Sequence, residues 1–107
     1  MKKFKELTVW QKAMDLVVEI YRISRLLPDE EKFGLVSQIR RAAVSIVANI
    51  AEGSGRNSQK ELKNFLSMAS GSSTELETEL LVIKRIGLLT DSQLAHAISL
   101  VDEVQKC

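Results

Sequence analysis

The sequence predicts an all-α protein: an antiparallel up-down-up-down four-helix bundle, formed as a single domain over residues 1–107. Three observations carry this. Apolar residues recur at three- and four-residue steps in four successive segments, and no strand-like alternation interrupts them. The chain has one proline and five glycines in 107 residues, so helix breakers are few. The segments are joined by short polar turns, which makes consecutive helices antiparallel neighbours.

The first helix is expected from Thr8, which with Gln11 three residues on has the capping-box spacing. Trp10, Ala13, Val17, Ile20 and Ser24 then form its apolar face, flanked by Met14 and Tyr21. Lys12, Asp15, Glu19 and Arg22 fall on the opposite side, and Pro28 ends the helix. Asp29, Glu30 and Glu31 place negative charge where a second helix begins, as its dipole favours. That helix is placed at about 34–52, stopped by Gly53 and Gly55. Ser58 with Glu61 opens a third helix, about 58–86, closed by Gly87. Thr90 with Gln93 opens a fourth that runs to the end of the chain. At about 1.5 Å per residue the third helix is ~43 Å long and the fourth ~25 Å, so the fourth cannot cover its neighbour fully.

The stretch SQIRRAAVSIVANIAEG, residues 37–53, raises the question of function. Leu35, Ile39, Ala43, Ile46 and Ile50 make one stripe, sufficient for a bundle core. Val44, Ala48 and Ala51 lie on the other side, interleaved with Arg41, Ser45 and Glu52. The third helix repeats the pattern. Leu62, Leu66, Ala69, Ser73, Leu76, Leu80 and Ile83 make its core stripe, and Met68, Gly71, Val82 and Ile86 lie behind. Its centre, SMASGSSTE, is nearly all small, a poor helix former that close packing would explain, either inside the bundle or at a subunit interface on the backs of the second and third helices. A helix apolar on two sides is buried on two sides. Val44, Ala48, Ala51, Met68, Val82 and Ile86 are therefore the expected self-association surface.

Arg40, Arg41, Arg56, Lys60 and Lys63 are expected to form a basic patch near one end of the second and third helices, able to touch the phosphates of RNA or DNA. Salt bridges to Glu52 or Glu61 would account for the same residues. The net charge is only +1, and no aromatic residues accompany the patch for base stacking. Charge is polarised all the same: +3 over residues 1–28, −2 over 29–34, +3 over 35–63 and −3 over 64–107.

Other chemistry finds little support. Asn49 could bond across a helix interface and fix register, and Glu52 could pair with Arg41 or Arg56. Glu75, Glu77 and Glu79 advance in steps of two and so are not expected to cluster. His96 falls on the polar side of the last helix beside Ser92, Ser99 and Glu103. GSGR at 53–56 lacks the preceding strand and the lysine of a phosphate loop. No nucleophile is paired with a base, so the chain reads as a non-enzyme without a cofactor, a metal or a small-molecule substrate. One histidine and one cysteine argue against zinc, and Cys107, the last residue, cannot form an internal disulfide. With no apolar run near 18 residues and no leader-like start, no membrane span or signal peptide is expected, and the chain is assigned to a reducing cytoplasm.

The segments LTVWQKAMDLVVEIY (7–21), FGLVSQIRRAAVSIVANIAEGSGR (33–56) and ELKNFLSMASGSSTELETELL (61–81) resemble the bacterial four-helix bundle family named for the 23S rRNA intervening sequence. The match runs from about residue 4 to 90, and SQIRRAA…ANIAEG is its strongest block. The resemblance implies an antiparallel four-helix bundle assembling into a ring-like homopentamer. A related protein, the accessory variability protein of diversity-generating retroelements, is a basic pentamer that binds nucleic acid and a reverse transcriptase. The resemblance thus offers an oligomeric scaffold and, as the alternative, a nucleic-acid accessory factor. It brings no catalytic residues. Val47 stands where relatives commonly have proline, which implies a straighter second helix, and Asn57 stands where a basic residue is frequent.

Overall fold

A computed structural model describes residues 3–107. Four helices account for most of them: α1 Thr8–Ser24, α2 Leu35–Ser54, α3 Gln59–Arg85 and α4 Asp91–Lys106. Single 3-10 turns, Phe4–Glu6 and Asp29–Glu31, precede α1 and α2. There is no strand among the described residues. α1 packs on α2 and α4, and α3 packs on α2 and α4 from the other side. Neighbours meet in reverse chain order. Gly53 of α2 faces Leu62 and Phe65 of α3, while the earlier Ser45 faces the later Ser72. Lys84 meets Asp91, while Ser73 meets Gln105. Each such pair is therefore antiparallel.

The four helix starts differ from one another in how they satisfy their free N–H groups. α4 has the full reciprocal box: the Thr90 hydroxyl accepts from the Gln93 N–H (3.1 Å), and the Gln93 side chain accepts from the Thr90 N–H (2.9 Å). α3 has half of one. Ser58 accepts from the Glu61 N–H (3.1 Å), but the Glu61 carboxylate turns toward the Ser58 hydroxyl and Arg56. The box expected at Thr8 does not form. The 3-10 turn delivers the chain at Leu7, so Thr8 is already helical, and Gln11 donates instead to the Lys5 carbonyl (3.1 Å). At the start of α2, Glu31 accepts from the Leu35 N–H (3.2 Å), placing a carboxylate at the positive end of the dipole.

The helix ends shift as well. α1 stops at Ser24, four residues before Pro28, and Pro28 instead leads into the second 3-10 turn. α2 is continuous through Val47 and Gly53 and is capped by Gly55, so Gly53 is a packing residue within it. Gly87 adopts φ +80°, a left-handed conformation that suits glycine, and closes α3. Its N–H reaches the Lys84 carbonyl (3.1 Å) and that of Leu88 reaches Ile83 (3.0 Å), the paired bonds of a Schellman end.

The core is aliphatic: Leu16, Ile20 and Ile23 from α1, Ile39 and Ile46 from α2, Leu76, Leu80 and Ile83 from α3, and Leu94 and Val101 from α4. On α1 this corrects the sequence reading. The buried arc is turned toward Leu16 and Ile23, leaving Trp10 and Val17 half-buried and drawing Glu19 inside. The reason is α4, which lies along that flank, with Lys12 Nζ 3.7 Å from Glu103. Leu66 is a second correction, since it is exposed where a core position is expected. α4 has 16 residues against 27 for α3, and its Gln105 lies level with Ser73 and Glu77. The N-terminal third of α3 has no fourth helix over it. A groove of about 370 Å³ results, lined mainly by Leu7, Val9, Ile50, Leu62, Leu66 and Val104.

Glu19, assigned to the solvated face, is buried beneath a two-pronged bond from Arg22, whose Nε and Nη2 each lie 2.7 Å from a carboxylate oxygen. The Arg22 bonds hold the Glu19 carboxyl below its usual value, against the opposing pull of burial. A depressed value contributes stability that is present above the ordinary glutamate range and is lost as pH falls through the folded-state value. Arg22→Ala is therefore expected to lower the urea midpoint clearly at pH 7. At pH 4 the loss should be smaller, because the stranded carboxyl can then take a proton. Equal losses at both pH values would show that the carboxylate is not what Arg22 serves.

Candidate functional site

The candidate site lies on the outer face of α2 and α3. A helical period of 3.6 residues brings Met68, Glu75, Glu79, Val82 and Ile86 onto one line of α3. The bundle interior claims the neighbouring stripe, Ala69, Ser73, Leu76, Leu80 and Ile83, roughly 100° around the helix. Met68 is 53% exposed and Ile86 58% exposed, and Val82 is exposed between them. Across the seam on α2, Val44 and Ala48 are exposed and Ala51 is half-buried. The small residues divide between the two roles. Ser45 and Ser72 join α2 to α3 through their hydroxyls at 2.8 Å, whereas a Cβ added at Gly71 would meet nothing within 4 Å.

Asn49 does not cross the interface. Its amide donates to the Ser45 carbonyl (2.8 Å) and hydroxyl (3.1 Å) of its own helix, and through Ser45 it supports the bridge to Ser72. Glu52 pairs with Arg56 one turn on and not with Arg41. His96 is exposed on α4.

The five cations do not form one patch. Arg40 is half-buried at the α1 seam, its Nε donating to the Ser24 hydroxyl (2.8 Å) and its guanidinium stacked 4.5 Å from the Tyr21 ring centre. Arg41 is exposed beside α3. Arg41 lies thirteen residues before Ser54, the last residue of α2, about 20 Å at the helical rise, and Arg56 lies beyond that end. Arg56 is engaged by Glu52, lies 4.0 Å from Glu61 and sits over the Phe65 ring at 4.9 Å. Lys60 and Lys63 are exposed on the next turns of chain and have no ion pair among the described residues. The expected cluster thus splits into Arg40 and Arg41 near the start of α2 and Arg56, Lys60 and Lys63 around the α2–α3 connection.

The acidic run also departs from expectation. Steps of two separate Glu77 from the others, but Glu75 and Glu79 are four apart and share one face. Glu79 is 9% exposed, and its Oε1 has no hydrogen-bond partner. Burial first, then the Glu75 carboxylate, push the Glu79 carboxyl up to about 7, with Arg41 pulling weakly the other way. The i, i+4 spacing is the sequence signal for this pair. Its burial follows only from how α2 and α3 meet.

Comparison with known proteins agrees with this architecture. The family model of the 23S rRNA-intervening sequence protein matches residues 5–107. A solved structure from Bacteroides thetaiotaomicron VPI-5482, a protein of unknown function from the S23 ribosomal protein family, superposes with a TM-score of 0.85 at 29% identity. The match covers 92% of this chain and 93% of that one. No curated protein matches. With the family model spanning nearly every residue, the chain belongs to the 23S rRNA-intervening sequence protein family.

Proposed function

We propose that the protein is a non-enzymatic homo-oligomeric scaffold, a homopentamer assembled through the outer face of α2 and α3 and working in the cytoplasm. The observation that supports this reading is the line of exposed apolar side chains, Met68, Val82 and Ile86 on α3 with Val44 on α2, on helices whose other faces already supply the core. Single exposed apolar residues are ordinary on a protein surface, but several aligned along two packed helices, interrupted only by Glu75 and Glu79, favour a partner. Gly71 and Ala48 leave room for close approach. Light scattering on the gel-filtered protein at micromolar concentration tests the reading: several protomers are expected. Met68→Glu with Ile86→Glu should yield folded monomers with unchanged helical circular dichroism. A wild-type monomer would sink the proposal.

A second reading, a nucleic-acid accessory factor, is favoured by Lys60 and Lys63, which stand exposed and unpaired among the described residues. Lys60→Gln with Lys63→Gln should weaken binding of an rRNA fragment alike for every sequence. The same change should reduce the salt slope by roughly 1 for each phosphate no longer neutralised. Arg41→Gln, near the start of α2 and away from the α2–α3 connection, should leave the slope unchanged. Binding that ignores both variants would remove this patch from consideration.

A further inference from the structure

The outer face of α3 is not uniformly apolar. Glu75 and Glu79 sit on its line between Met68 and Val82. Glu79 is 9% exposed and its Oε1 is buried without a hydrogen-bond partner, so one oxygen of an ionised carboxylate there goes unstabilised by the protein. The charged groups around it are Glu75 from its own helix and Arg41 from α2. α4 packs on another side of α3, where Gln105 reaches Ser73 (3.4 Å) and Glu77 (3.1 Å). Two carboxylates one helical turn apart, one of them buried, ionise together only at a cost, and the cost rises when the remaining water is removed.

We propose that the Glu75–Glu79 pair is a proton-operated gate on self-association through the outer face of α2 and α3. Holding one proton, the pair carries a single negative charge with Arg41 of α2 nearby, and a second copy can cover it. Fully ionised, it places an uncompensated buried charge in the middle of the apolar line, and covering it is opposed. The inference rests on the self-association reading and adds its regulation. The gate operates in the neutral range, because the Glu79 carboxyl is pushed up to about 7. Association then tightens as pH falls and loosens as it rises.

Sedimentation equilibrium at pH 6 and pH 8, with ionic strength held fixed, provides the test. A carboxyl that is half-protonated near neutrality should make each interface about tenfold weaker at pH 8 than at pH 6, one decade for the change in its neutral fraction. Glu79→Gln, which removes this titration and keeps the shape, should associate equally at both pH values and as well as wild type does at pH 6. Glu75→Gln should move the pH dependence toward acid, since it removes the charge that holds the proton on its neighbour. Wild-type assembly that is equal at both pH values, or tighter at pH 8, overturns the gate and leaves self-association standing. A chain that is monomeric at both overturns self-association and the gate with it. A dependence that persists undiminished in Glu79→Gln assigns it to another group and overturns the gate alone.

Discussion

Gly53→Val is expected to destabilise the fold by about 2–3 kcal/mol, lowering the melting temperature of a domain of this size by roughly 10–20 °C. Gly53 is buried in the last turn of α2, packed against Leu62 and Phe65 of α3. A Cβ built there would lie 2.9 Å from Phe65 Cβ, 3.4 Å from Leu62 Cδ1 and 3.6 Å from the Leu62 carbonyl oxygen. The first of these atoms is fixed to the α3 backbone, so no rotamer change relieves the clash, and the helices themselves must separate. They are held together just beyond by the short connection from Gly55 to Ser58 and by the Arg56 pairings with Glu52 and Glu61. A glycine-to-alanine change in a helix ordinarily stabilises by about 0.5–1 kcal/mol. Gly71→Ala, with open space around its Cβ, should show that gain, whereas Gly53→Ala should lose stability. Urea unfolding of the two alanine variants at one low protein concentration checks this. Stabilisation by both would show that the close approach of α2 to α3 is not required.

How much of this was legible in the sequence depends on which physical signal each feature rests on. The four helices follow from hydrophobic period and short connections, which are local, and α4 begins with the box that Thr90 and Gln93 predict. The identical-looking spacing at Thr8 fails because a 3-10 turn upstream supplies Leu7 as the cap, and nothing within the window from Thr8 to Gln11 announces that turn. Glu19 is a tertiary outcome. Its position on the wheel is polar until α4 lies along that flank and Arg22 closes over it. The basic patch failed for a simpler reason. Arg41 lies in the second turn of α2 and Arg56 just beyond its far end, and a helix keeps such positions apart however the bundle packs. The outer apolar line of α3 was readable because it needs only the period, while the groove over Leu62 and Leu66 was foreshadowed by the difference in length between α3 and α4.

Glu79→Leu is expected to stabilise the protein, and to do so more at pH 8 than at pH 5. Two terms contribute. A buried carboxylate oxygen without a partner costs about 1–3 kcal/mol, and an apolar side chain of similar volume removes that cost. The second term depends on pH. With the Glu79 carboxyl at about 7 in the fold and 4.5 as its ordinary value, the native state holds a proton that the unfolded chain has released over that window. Stability from this group is therefore full below about 4.5 and is lost as pH rises through about 7. The advantage of leucine over wild type should grow across the same interval, by about 1–2 kcal/mol once screening at the seam is allowed for. The pH dependence of Glu19 has the opposite sign, since its pairing with Arg22 strengthens the fold as pH rises. The two groups are thus separable in a single series of urea midpoints from pH 4 to pH 8. A leucine variant whose advantage is flat across that range would assign the cost at position 79 to packing alone. It would also remove the titration on which the association gate depends. An advantage that shrinks toward pH 8 would mean that Arg41 already satisfies the ionised carboxylate, and that the charge at Glu79 supports the fold.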